Sequence, residues 1–183
     1  MSWCSPRFRK MVRIGVVSDT HGSLEAIDRC IAKAGVVSGW FHLGDFVSDA
    51  KRFAERTGLP VYSVLGNCDG TGFMELEEDI FPEPQKRNAS ERVVTVEGAR
   101  IFLCHGHRYD VEWGGMQLGY RAEETGCAAA LYGHTHVAEL SPYGRIIRLN
   151  PGSPKSPRGF GRKPSFAVLE INGGDVNASI ITI

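Results

Sequence analysis

MVRIGVVSDTHGSLEAIDRCIAKAG, residues 11–35, decides the fold. Residues 11–17 are a short apolar run rich in β-branched side chains, the pattern of a buried strand. Ser23 is placed to cap a helix, and Leu24, Ile27, Cys30, Ile31 and Ala34 then fall on one face at helical period until Gly35. The same grammar continues downstream. Residues 40–43 read as a strand, 50–56 as a helix closed by Gly58, and 61–65 as a third strand. A strand–helix–strand–helix–strand opening implies a largely parallel sheet with helices packed on it, joined by right-handed crossovers.

Beyond Asn67 strands dominate. Residues 92–96 and 99–104 flank Glu97-Gly98 as a hairpin. One more helix is predicted over 117–125, ended by Gly126, and strands over 128–132, 138–141, 145–149, 165–171 and 175–183. About ten strands are too many for one comfortable twisted sheet, so two stacked sheets with helices outside is the economical arrangement. Residues 151–164 hold four prolines and three glycines with Lys155, Arg158, Arg162 and Lys163, and read as a solvated loop that could rim a site. Residues 1–10 read as a disordered extension, and 11–183 as one domain.

Composition excludes several classes of function. The chain has 183 residues, 42% hydrophobic and 23% charged, with 21 Lys plus Arg against 21 Asp plus Glu. The balance counts against a long nucleic-acid substrate, which needs a basic footprint. No apolar run approaches the ~20 residues that span a bilayer, and no secretory signal is visible. The five cysteines are odd in number and scattered, so they outline no disulfide framework, and a reducing cytoplasm is the expected home.

Polar residues cluster in a telling order. Asp19-Thr20-His21, Gly44-Asp45, Gly66-Asn67-Cys68-Asp69, His105-Gly106-His107 and Gly133-His134-Thr135-His136 each follow a predicted strand. In open α/β sheets ligands bind at that edge. Singly, Asp19, Asp45 and Asn67 suit turns or caps, and His105 a hydrogen-bonded core position; as an ordered set they mark a site. Extended i, i+2 spacing would aim Asp19 with His21, and His134 with His136, each pair at one centre. Imidazole with carboxylate suits manganese, iron, zinc or nickel, and no CxxC pair suggests a thiolate zinc site.

This ordered set, with Asn150-Pro151-Gly152-Ser153 after it, resembles the calcineurin-like metallophosphoesterases, most closely their small single-domain phosphodiesterase branch, to which a eukaryotic retromer subunit is also similar. The resemblance implies a four-layer α/β sandwich of two mixed sheets flanked by helices. It implies a first metal on Asp19, His21, Asp45 and His136, and a second on Asn67, His105, His134 and a bridging Asp45. Two divalent ions, manganese foremost, would then hydrolyse a small phosphate ester, by preference a diester, through in-line attack of a hydroxide shared between them. With Asp19 and Asp45 those ions leave a net +2, or +1 with the hydroxide, suited to an anionic ester. Asp45, Asn67 and His107 would be the catalytic side chains, His107 as a contact or proton donor for the leaving group. A homo-oligomer is compatible with this reading. The competing readings are a protein-interaction scaffold that keeps the metal site, and a phosphomonoesterase. The larger phosphatases and nucleases of the superfamily carry a histidine where Cys68 stands, which counts against protein-phosphatase activity. His42, inside a strand, is expected in the core or behind the site, and Cys104 in the core. Tyr109, Trp113 and Gly114-Gly115 suggest a mobile segment over the site.

Overall fold

In the computed structural model, which describes residues 11–70 and 90–183, the opening segment folds as its pattern implies. The extension 1–10 lies outside the described residues. Strand β1 (Val12–Val17) leads to α1 (Leu24–Ala34), then β2 (Gly39–His42), α2 (Ser48–Thr57) and β3 (Val61–Ser63). Ser23 caps α1 by accepting the Ala26 N–H, and Ala26, Ile27, Cys30 and Ala34 form its buried face, while Leu24 is exposed. After the undescribed stretch come β4 (Glu91–Val96), β5 (Ala99–Cys104), α3 (Met116–Glu124), β6 (Ala129–Leu131), β7 (Glu139–Tyr143), β8 (Ile146–Asn150), β9 (Ser165–Asn172) and β10 (Asp175–Thr182). A single 3-10 turn, Val111–Trp113, lies between β5 and α3.

The strands form two five-stranded mixed sheets. The first runs β10-β9-β1-β2-β3, with β1, β2 and β3 parallel and β9 antiparallel to β1 and β10. The second runs β4-β5-β6-β8-β7, with β5, β6 and β8 parallel and antiparallel strands at both edges.

Alternation along the strands builds the layers, because successive side chains leave opposite faces. Val16, Phe41, Leu103 and Leu131 point into the core between the sheets. Their neighbours Val17 and Trp40 meet Ile27 and Cys30 of α1 and Phe53 of α2 on one outer face. Phe102 and Ala130 meet Leu118 and Ala122 of α3 on the other. The result is the expected four-layer α/β sandwich. Its parallel strands from both sheets end on one edge, and there the polar clusters gather.

Candidate metal centre

Asp19 and His21 follow β1, Asp45 follows β2, Asn67 follows β3, His105 follows β5, and His134 and His136 follow β6. Their backbone is not extended as the i, i+2 argument supposed. Asp19, His21, Asp45, His134 and His136 have φ of 55, 46, 55, 68 and 59°, all left-handed. Such conformations are uncommon for residues other than glycine, although Asp, Asn and His tolerate them best. Hydrogen bonds hold them: the Asp19 N–H donates to the Gly44 carbonyl at 3.1 Å, the His134 N–H to Asp19 Oδ2 at 3.1 Å, and the Ser153 hydroxyl to the Asp19 carbonyl at 2.8 Å. Gly66 must be glycine, because a Cβ there would overlap the Asp45 carboxylate.

Left-handed turns also redirect the side chains. Asp19, His21, Asp45 and His136 place one donor atom each within 4.8 Å of one another. His134 leaves this group, contrary to the expectation that it shares a centre with His136. Its ring lies 5.3 Å from that of His105 and 6.1 Å from that of His107. His105 Nε2 is 3.3 Å from Asp45 Oδ1 and 3.1 Å from Asn67 Oδ1. The residues therefore fall into two adjoining groups, with Asp45 in both.

The donor chemistry fits cations. His105 Nδ1–H donates to the Leu43 carbonyl at 2.7 Å, and His136 Nδ1–H to the Ser156 carbonyl at 2.7 Å. A carbonyl only accepts, so each ring carries its hydrogen on Nδ1 and its neutral form turns an Nε2 lone pair inward. There His136 Nε2 meets Asp19 Oδ1 at 3.1 Å and His21 Nε2 at 3.3 Å, while Asp19 Oδ1 is buried without a well-aligned hydrogen bond. Acceptors facing acceptors at this range need a positive charge between them, a metal ion or a proton on one ring. Burial alone would raise the Asp19 carboxyl, but the His136 contact and the field of His105 outweigh it and hold it below the ordinary range. The nearby Asp19 carboxylate lifts His136 in turn, whereas burial depresses His21 and His107.

Behind the first group lies a buried network. His42 Nδ1 accepts the Gly44 N–H, so its hydrogen is on Nε2 and donates to Thr20 Oγ1 at 2.9 Å. Thr20 passes its own hydrogen to Asp49 Oδ2 at 2.6 Å, and that oxygen also accepts the Gly22 N–H at 2.9 Å. Arg52 closes the chain on Asp49 Oδ1 at 2.6 Å. Sequence reasoning placed His42 here but missed Asp49, whose only signal was an acid in the first turn of α2.

Around the rim, His107 faces His105 at 5.5 Å between ring centres and has a buried Nδ1 without a hydrogen-bond partner. The Cys68 thiol is exposed, and its hydrogen bond to Asp45 pushes it up to about 11. Cys104 packs in the core as expected. Lys155 does not project as a free rim cation; its Nζ donates to the His21 carbonyl at 2.9 Å. Tyr109 packs against the α3 core and donates to Glu91, and Trp113 is 89% exposed, so neither ring covers the site. Between them stands Glu112, overlooked in the sequence, whose carboxylate contacts His134 Nε2.

Comparison with known proteins places the chain in a family. Residues 12–174 match the model of the calcineurin-like phosphoesterase superfamily domain. Phosphodiesterase YfcE of Escherichia coli is 30% identical over 178 residues, covering 87% of this chain and 88% of its own. Phosphodiesterase MJ0936 of Methanocaldococcus jannaschii is 30% identical over 149 residues, covering 77% and 83%. In fold alone, zinc-complexed Vps29 of Entamoeba histolytica superposes with a TM-score of 0.65 at 21% identity, over 93% of this chain and 99% of its own. The chain belongs to the calcineurin-like phosphoesterase superfamily.

Proposed function

We propose that the protein is a dinuclear-metal phosphoesterase acting on small phosphodiesters. The observation that carries this reading is the inward meeting of lone pairs in two adjoining groups that share Asp45. Asp19, His21, Asp45 and His136 would hold the first ion, and Asp45, Asn67, His105 and His134 the second. Mixed imidazole and carboxylate donors suit manganese first, with iron, zinc or nickel as substitutes. Two such ions supply a water of lowered pKa and a clamp on the phosphoryl oxygens.

The chain's own part is positioning. The Leu43 and Ser156 carbonyls fix the rings of His105 and His136, and the His42–Thr20–Asp49 network backs the Asp19–His21 turn. His107 is the group offered to the leaving oxygen. Cys68 serves poorly there, since an acid catalyst works best with a pKa near the operating pH. Kinship with two phosphodiesterases favours diesters over monoesters. The described thiols Cys30, Cys68, Cys104 and Cys127 are unpaired, which supports a cytoplasmic site of action.

The test strips the protein with a chelator, restores it with each metal, and follows bis(4-nitrophenyl) phosphate against 4-nitrophenyl phosphate. Two manganese ions per chain and faster diester hydrolysis are expected. Asp45→Asn should release both ions and most turnover, while His105→Ala should release mainly the second. No hydrolysis with two ions bound overturns the enzyme in favour of a scaffold, and Asp45→Asn with two tight ions and near-normal turnover overturns the shared ligand.

A further inference from the structure

We propose that Asn150-Pro151-Gly152-Ser153 is a clasp that sets the candidate ligands, with Ser153 a positioning residue for the first metal position and Asn150 for both. The proposal rests on the two-metal reading above. Its basis is where the two polar side chains of this segment spend their hydrogen bonds.

Asn150 and Ser153 are fully buried at and just beyond the end of β8. Buried polar groups need partners, and theirs lead to the ligands. Asn150 Nδ2 donates to the Gly133 carbonyl at 2.8 Å and to Thr135 Oγ1 at 3.0 Å, while its Oδ1 accepts the Gly152 N–H at 2.9 Å. The Gly133 carbonyl shares a peptide with the His134 N–H, which donates to Asp19 Oδ2. That peptide is therefore held at both ends. Thr135 stands between His134 and His136, so the grip of Asn150 falls on the turn that carries both left-handed histidines.

Ser153 reaches a different pair. A hydroxyl has one hydrogen to give and two lone pairs to receive with. Ser153 Oγ accepts the N–H groups of Lys155 at 3.3 Å and Ser156 at 2.8 Å, and gives its hydrogen to the Asp19 carbonyl at 2.8 Å. Ser156, tied in this way, accepts His136 Nδ1–H on its own carbonyl at 2.7 Å. One hydroxyl thus links the Asp19 backbone after β1 to the His136 ring after β6. Asp19 and His136 both belong to the first position. Gly152 permits the turn between Asn150 and Ser153: its φ is 75°, and a Cβ there would lie 2.4 Å from Ser165 Oγ. Ser165 supplies the contrast. Its buried hydroxyl donates to the Pro151 carbonyl at 2.8 Å and so holds the same segment without leading to a ligand.

The experiment titrates manganese into the chelated full chain by calorimetry, with metal analysis after equilibrium dialysis and urea midpoints of the metal-free variants. Wild type should take up two equivalents. Ser153→Ala should weaken the equivalent that His105→Ala retains by about 10–100-fold, the range seen when groups supporting a metal's ligands are removed, and leave the other unchanged. Asn150→Ala should weaken both. Ser165→Ala should lower the urea midpoint as Ser153→Ala does, yet bind both equivalents like wild type. Unaltered affinities in Ser153→Ala overturn its assignment, and an Asn150→Ala protein that keeps either affinity overturns that of Asn150. Equal weakening of both equivalents in Ser153→Ala, or the same selective loss in Ser165→Ala, also overturns the clasp, because the effect would then be one of segment stability. A wild type that takes up one equivalent overturns the two-metal reading itself, and the division between Ser153 and Asn150 with it.

Discussion

Five of the seven candidate ligands occupy the left-handed region, and each such residue costs on the order of 1–3 kcal/mol unless its surroundings enforce it. Here the enforcement is hydrogen bonding from neighbouring residues, most of them outside the candidate ligand set. His42 is the deepest of these, and its roles follow from its partners: an acceptor to Gly44 at Nδ1 and a donor to Thr20 at Nε2, which only the neutral ring can satisfy. Burial accordingly depresses its pKa, with Asp49 opposing. Between the folded value and the ordinary ~6.5 the unfolded chain binds one proton more. The contribution is thus complete above about 6.5 and is lost as pH falls through the folded value. His42→Asn should cost about 1–3 kcal/mol at pH 7.5 by leaving buried partners unmet, and the gap to wild type should narrow at pH 5. Urea midpoints of the chelated proteins at both pH values measure this, and a constant gap would remove His42 as the acid-sensitive group. None of the left-handed turns was legible in the sequence. Asp and His tolerate that region, but tolerance does not announce use, and Glu112 lacked even that hint because only the folded chain brings position 112 to His134.

Among the elements, legibility followed periodicity. Helix α1 was readable to within a residue because its cap, apolar face and stop agree. The predicted strand over 138–141 appears instead as β7, Glu139–Tyr143, an edge strand whose mostly solvated side chains give a weak alternation. Helix α2 shows how packing outranks capping. Val47 at its N-cap makes no side-chain cap bond, yet Phe53 is fully buried with its ring 4.8 Å from that of Trp40. Phe53→Ala should therefore destabilise the protein by about 3–5 kcal/mol, whereas Val36→Asp, at a position 87% exposed, should stay within about 0.5 kcal/mol. Denaturant unfolding of both variants checks the contrast. A mild Phe53→Ala would mean that α2 is held chiefly by Asp49 and Arg52.

The molecule as a whole is joined at its site. Asp19, His21, Asp45 and Asn67 come from the first sheet, and His105, His134 and His136 from the second. The His105–Leu43 and His134–Asp19 hydrogen bonds already cross between sheets. An ion bound by both should stabilise the fold by about 2.7 kcal/mol at one hundred times its Kd. For a chain of this size that raises Tm by about 5–10 °C. Calorimetric scans with manganese and with chelator test this, and coincident transitions would show that the donors do not bridge the sandwich. Because the chain's own hydrogen bonds hold those donors in place, the socket need not be shaped by its occupant. On the two-metal reading, a socket set in advance discriminates little by shape among divalent ions of similar size, so part of the selection passes from the protein to its supply. If the two-metal reading holds, the ion carried by a purified sample should record the last solution the protein met, and turnover should follow the ion traffic around it.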